Sequence, residues 1–204
     1  MPQVDFIFDF ASPNAYFVHK VIPQIEARTG ATFNYIPCLL GGIFKATGNQ
    51  APMMAFAGVK GKLAYDRLEI ERFIAEHGLV DFKMNPDFPI NTLHLMRAAA
   101  ALDLQGKARM MKFVEGIFHF MWEDPKNFND PQVAANVLGE LGYDAQELMA
   151  QAQSDAAKAH LFANTERAVE RGVFGIPTFF VGDEMFFGKD RLAQVEAQIQ
   201  RQSA

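Results

Sequence analysis

The two ends of this chain read as parts of one sheet, and more than a hundred residues of helical pattern lie between them. Residues 4–10 (Val4-Asp5-Phe6-Ile7-Phe8-Asp9-Phe10) have the aromatic richness of a central strand. Ser12 follows at an N-cap position and Pro13 at the first helical position, where its missing N–H costs nothing. The helix is predicted to run to about Thr29 and stop at Gly30, with Pro23 kinking it. Residues 31–36 form the next short strand, so a crossover helix between two strands predicts a parallel βαβ unit. At the far end, 178–181 and 185–187 flank Gly182-Asp183-Glu184 as a hairpin, and a last helix runs through Leu192, Val195 and Ile199. The end segments must meet to complete one sheet.

Residues 37–52 read as a loop broken by Gly41-Gly42 and by Thr47-Gly48-Asn49-Gln50-Ala51-Pro52. Helices are predicted over 63–76, 92–102, 107–122, 131–141 and 154–171. Between the first two, residues 84–92 carry two prolines and two asparagines, the mark of a fixed, irregular connector.

Composition excludes several classes of function. A net charge of −5 with no basic run argues against a nucleic-acid surface. No stretch approaches the roughly 18 apolar residues of a membrane span, and the N-terminal residues lack the basic start of a secretion signal. The single cysteine, Cys38, cannot form an internal disulfide, which points to a reducing cytoplasm. The five histidines fall in no ligand-like spacing, so no metal is expected.

Three places carry candidate chemistry. Ser12 either caps its helix or holds an anion, for instance a thiolate, at the positive end of that helix, where its hydroxyl donates one charge-assisted hydrogen bond. Ile176-Pro177 is either a plain strand-initiating proline or a cis-proline loop. In the second case the backbone of Ile176 pairs with an extended peptide. Asp190, in Phe187-Gly188-Lys189-Asp190-Arg191, either caps the last helix or takes a ligand ammonium group.

Taken together, Phe8-Asp9-Phe10-Ala11-Ser12-Pro13-Asn14-Ala15-Tyr16, Gly48-Asn49, Val173-Phe174-Gly175-Ile176-Pro177-Thr178 and Phe187-Gly188-Lys189-Asp190-Arg191-Leu192 resemble the 2-hydroxychromene-2-carboxylate isomerase family. That family is the bacterial sister of the kappa-class glutathione transferases. The resemblance spans essentially the whole chain and implies an α/β, thioredoxin-like (DsbA/kappa type) domain with a large all-helical insertion. Residues 1–58 and 172–204 would form the discontinuous thioredoxin-like domain and 59–171 the insertion.

The resemblance also implies glutathione as cofactor, a small aromatic substrate, a homodimer, and a role in aromatic catabolism such as naphthalene degradation. Family members interconvert 2-hydroxychromene-2-carboxylate and trans-o-hydroxybenzylidenepyruvate by reversible addition of the glutathione sulfur. Ser12 would be the catalytic residue that steadies this sulfur. Asn49, Ile176, Phe187, Gly188, Lys189 and Asp190 would join it in binding glutathione. A family lysine that polarises the substrate aligns with Phe44 or Lys45 here, and Asn85 and Arg97 are further substrate-binding candidates. The alternatives are a kappa-like transferase conjugating electrophiles and a non-catalytic glutathione-binding module. Trp122 is expected to pack in the core and Cys38 to be inert.

Overall fold

The computed structural model describes residues 2–203. Met1 and Ala204, the outer bounds of the expected thioredoxin-like segments, lie outside the described residues. A four-stranded sheet of order β2-β1-β3-β4 is built from the two ends of the chain. β1 (Gln3–Phe8) and β2 (Thr32–Pro37) pair in parallel, from Gln3 opposite Thr32 to Phe8 opposite Pro37. The crossover between them is α1 (Pro13–Thr29), capped by Ser12 and ended by Gly30 in the left-handed region at φ 69°. Pro23 lies inside α1 on its exposed side, and the helix continues through it.

β3 (Thr178–Val181) and β4 (Glu184–Phe187) form the expected hairpin, with β3 antiparallel to β1 and wholly buried. A 3-10 turn (Lys189–Arg191) then leads into α10 (Leu192–Ser203), which packs beside α1 and β3.

The intervening helices are α2 (Leu40–Thr47), α3 (Pro52–Ala55), α4 (Lys62–His77), α5 (Leu93–Gln105), α6 (Lys107–Trp122), α7 (Pro131–Glu140), α8 (Ala145–Ala152) and α9 (Asp155–Glu170). Three differ from the sequence expectation. α3 and α8 are short elements it does not contain, and α2 occupies the segment read as a loop. Gly41 and Gly42 are poor helix formers, yet tertiary contacts override them. A Cβ on Gly42 would sit 3.2 Å from Thr165 Cγ2, so the glycine lets α2 approach α9 closely. At the start of α2, the N–H of Leu39 donates to Thr165 Oγ1 (3.0 Å) and that of Leu40 to Asp9 (2.8 Å). The 84–92 connector is irregular, as the prolines require, with a cis Phe88–Pro89 bond.

An aromatic seam joins the sheet to the helices. Phe6 stacks on Phe179 at 5.6 Å, and Phe10 meets Phe118 of α6 edge-on at 5.1 Å, the offset and T-shaped geometries aromatic rings prefer. Trp122, at the end of α6, is fully buried, and its indole N–H donates to the Phe10 carbonyl at 3.1 Å. Among the described residues no helix is long and apolar enough to cross a membrane.

Candidate active site

Strand β1 ends at Phe8, and the next four residues turn the chain into α1. The turn closes with the Ser12 N–H on the Asp9 carbonyl (3.1 Å). Ser12 has the extended backbone of an N-cap (φ −97°, ψ 110°), and its Oγ accepts from the Ala15 N–H at 3.2 Å. The same hydroxyl donates to the carbonyl of Ile176, 164 residues away, at 3.2 Å. Capping and contact with the proline loop therefore coexist at one oxygen, which is 5% exposed as a residue.

Pro13 carries no N–H. Among the described residues the Asn14 N–H, next along the helix, has no acceptor. The side-chain Oδ1 of Asn14 is buried without a partner, a placement uncommon enough to need a reason.

The Ile176–Pro177 bond is cis. With its carbonyl turned to Ser12, Ile176 keeps a backbone N–H that has no acceptor among the described residues. The Pro177 carbonyl accepts from the Gly188 N–H (2.9 Å), which ties the loop to the end of β4. Gly188 holds φ 95°, a conformation other residues rarely adopt. Gly175 is required for a different reason. A Cβ there would lie 2.8 Å from Phe187 Cε2, because the Phe187 ring covers this glycine. Phe187 in turn faces Phe174 with centroids 4.6 Å apart, and both rings are about 40% exposed. From the other side, Asn49 Nδ2 donates to the Phe174 carbonyl at 2.7 Å. Ser12, Asn49, Ile176, Phe187 and Gly188 thus converge on the proline loop from three parts of the chain.

Lys189 and Asp190 follow directly, but their roles divide. The Lys189 side chain is turned inward, with its ammonium 4.9 Å from the centroid of Phe73 and bonded to Asp190 Oδ1. The Asp190 carboxylate remains largely exposed and bonds Lys189 through Oδ1 rather than capping a helix. Lys45 lies exposed on α2, one turn before Gly48 ends that helix at φ 70°.

Two substrate candidates are bonded to groups outside this cluster. Asn85 is 2% exposed, with its Nδ2 donating to the carbonyls of Met121 (3.2 Å) and Lys126 (3.0 Å) and its Oδ1 accepting from the Asp87 N–H. Its polar side chain serves the connector. Arg97 points toward the end of α8, where it meets Gln153 Oε1 at 3.4 Å. Among the described residues no group of three or more acidic, histidine or cysteine side chains is placed to hold a metal.

Sequence reasoning passed over Asp9. The carboxyl is 1% exposed, accepting at Oδ1 from the Ala11 N–H (2.9 Å) and Thr92 Oγ1 (2.6 Å) and at Oδ2 from the Leu40 N–H (2.8 Å). Burial pushes its pKa up, against the pull of those donors. The available signal was an acid closing an otherwise aromatic strand. Cys38 is buried nearby in the fold, and burial, with Asp9 adding to it, drives its thiol far above the ordinary range, which favours the protonated form.

Comparison with known proteins then fixes the lineage. A family model described as a DsbA-like thioredoxin domain matches residues 3–200. The 2-hydroxychromene-2-carboxylate isomerase of Sphingobium xenophagum is 30% identical over 199 residues, covering 96% of this chain and 97% of that protein. The chain belongs to the 2-hydroxychromene-2-carboxylate isomerase family. A solved structure of a 2-hydroxychromene-2-carboxylate isomerase superposes on this family member with a TM-score of 0.79 at 30% identity, covering 98% and 96% of the two chains. A more distant relative is the "Glutathione S-transferase kappa 1" of Caenorhabditis elegans, 25% identical over 98% of this chain and 92% of that one. The DsbA-like thioredoxin architecture expected from the sequence is thereby established.

Proposed function

We propose that this protein is a glutathione-dependent isomerase acting on 2-hydroxychromene-2-carboxylate and its ring-opened form, trans-o-hydroxybenzylidenepyruvate. The observation that carries the reading is the position of the Ser12 hydroxyl, at the start of α1 and within 3.2 Å of the Ile176 carbonyl. The names of the relatives supply the substrate.

The donor set fits glutathione. An extended peptide needs one main-chain donor and one acceptor, and Ile176 offers an N–H without an acceptor among the described residues together with a carbonyl that accepts from Ser12. Asp190, exposed and fixed by the buried Lys189, is suited to the ligand's ammonium. Asn49 braces the loop at Phe174, and Phe187 walls it.

Glutathione, when bound, would supply a sulfur nucleophile for reversible addition to an electron-poor alkene, the chemistry that allows a double bond to isomerise. The chain's contribution is electrostatic. The first turn of α1 presents the Asn14 N–H and the partial positive charge of a helix start, both of which favour an anion. Ser12 Oγ–H, turned from the Ile176 carbonyl to that anion, adds a charge-assisted bond. Ser12 orients and stabilises; it does not attack. Phe174 and Phe187, both exposed and tilted 50° to one another beside this point, provide an apolar surface for an aromatic substrate.

A kappa-type transferase is the second reading, favoured by the relative from Caenorhabditis elegans. Mixing the protein with glutathione and trans-o-hydroxybenzylidenepyruvate separates the two. Isomerisation with glutathione unconsumed supports the proposal. Consumption of glutathione with a halogenated nitroaromatic, and no isomerisation, supports the transferase. Glutathione binding with neither reaction would leave a non-catalytic binding module.

A further inference from the structure

Hydrogen bonds and the runs of chain between them form a closed circuit around the site, and Asp9 is where it closes. Starting at Ser12, the hydroxyl reaches the Ile176 carbonyl (3.2 Å), and two residues back the Phe174 carbonyl accepts from Asn49 (2.7 Å). Asn49 follows the Gly48 that ends α2, whose first residue, Leu40, donates its N–H to Asp9 Oδ2 (2.8 Å). The Asp9 carbonyl accepts from the Ser12 N–H (3.1 Å), which completes the circuit. Asp9 Oδ1 adds two connections: it accepts from Ala11 inside the turn (2.9 Å) and from Thr92, the residue just before α5 (2.6 Å).

One buried side chain therefore holds three separate pieces of chain: the turn that carries Ser12, the start of the helix that leads to Asn49, and the start of α5. We infer that Asp9 is a positioning residue that sets Ser12 and the Asn49 wall at a common spacing from the proline loop, and so governs how well glutathione is held. The inference rests on glutathione being the ligand of this site, and it concerns a residue that touches neither ligand nor substrate.

Both carboxylate oxygens are used as acceptors, and this determines how a substitution fails. In Asp9→Asn the shape is kept, but whichever way the new amide turns, a backbone N–H of Ala11 or Leu40 meets a nitrogen. Thr92→Val is milder, since it removes only the connection to α5 and leaves the two backbone donors in place.

The test reads glutathione affinity by calorimetry and amide hydrogen exchange on unliganded protein, for wild type, Asp9→Asn and Thr92→Val. An orphaned buried donor predicts glutathione binding weakened about tenfold in Asp9→Asn, and the loss of one bond about threefold in Thr92→Val. Exchange should rise together in residues 9–16, 38–49 and 92–96 of both variants, while β3 and the middle of α6 keep wild-type protection. A role in overall stability alone would raise exchange everywhere and leave affinity unchanged in the folded fraction. That result, or a rise confined to the neighbours of the substituted residue, overturns the inference. If Asp9→Asn does not fold, Thr92→Val decides by the same criteria. If wild type binds no glutathione, the functional reading fails, and the exchange pattern alone decides whether Asp9 couples the three segments.

Discussion

Replacing Trp122 with phenylalanine should destabilise the protein through a smaller buried ring and one lost hydrogen bond, and the lost bond should loosen the Ser12 turn. The indole is fully buried, flanked by Phe82 and Phe88 with centroids 6.0 Å away in each case, and its N–H is held by the Phe10 carbonyl at 3.1 Å. Phe10 is itself fully buried and lies two residues before Ser12. A phenyl ring keeps the stacking and removes about two buried carbons, roughly 1.5 kcal/mol at about 0.8 kcal/mol each. The Phe10 carbonyl then loses its donor where water does not reach it, which costs about 1–2 kcal/mol more. The sum, about 3 kcal/mol, corresponds to a fall of roughly 6–12 °C in melting temperature for a chain of this length. Urea titration with an unchanged slope measures the loss as stability rather than as a change in the unfolded state, and calorimetry with glutathione measures the effect on the turn. A loss of about 1.5 kcal/mol or less, the share of the smaller ring alone, would refute the claim that this bond anchors the turn.

Further expectations follow from the same geometry. Ser12→Cys places a thiol at the start of α1, where its ionisation is favoured; incubated with oxidised glutathione it should gain one glutathionyl group by mass, releasing one reduced glutathione, while the wild type, whose buried Cys38 is held protonated, gains none. Labelling of native wild type at Cys38 would contradict this. In acid, the hydrogen bond from His19 (2.8 Å) holds the Glu115 carboxyl down at about 2, below its usual 4.5. A depressed acid stabilises the fold above its ordinary pKa and loses that contribution as pH falls toward the folded-state value. Because the Glu115 side chain is 62% exposed, the contribution is only about 1 kcal/mol. His19→Gln should therefore show a shallower loss of stability between pH 4.5 and 2 than wild type, and parallel curves would refute the assignment.

Much of the fold is written locally. Ser12 and Pro13 at one end of α1 and Gly30 at the other mark its limits in the sequence, and the structure places the ends at the same residues. The hairpin and the long helices are equally plain, because periodicity and turn residues agree there. What escaped notice depends on residues far apart. α2 forms across Gly41-Gly42 because Thr165 and Asp9 receive its first N–H groups, and neither partner lies near it in the chain. Asn85 reads as a candidate ligand because an asparagine in a proline-rich connector has no fixed role until Met121 and Lys126 are seen to take its amide. Asp9 is the converse case: an acid that looks like strand decoration is the common acceptor of three segments. Ser12 was visible as a cap, and only folding shows that the same oxygen also touches Ile176.

Difference absorbance of the glutathione thiolate, followed across pH with wild type and Ser12→Ala, tests the central claim most directly. If the first turn of α1 and one hydroxyl stabilise the anion, the bound thiol of the wild type ionises about one to two units below its ordinary value of ~8.5. Ser12→Ala should return most of that shift while still binding the tripeptide through Ile176. A bound thiol that titrates at its solution value in wild type, or an unchanged titration in Ser12→Ala, would contradict the account.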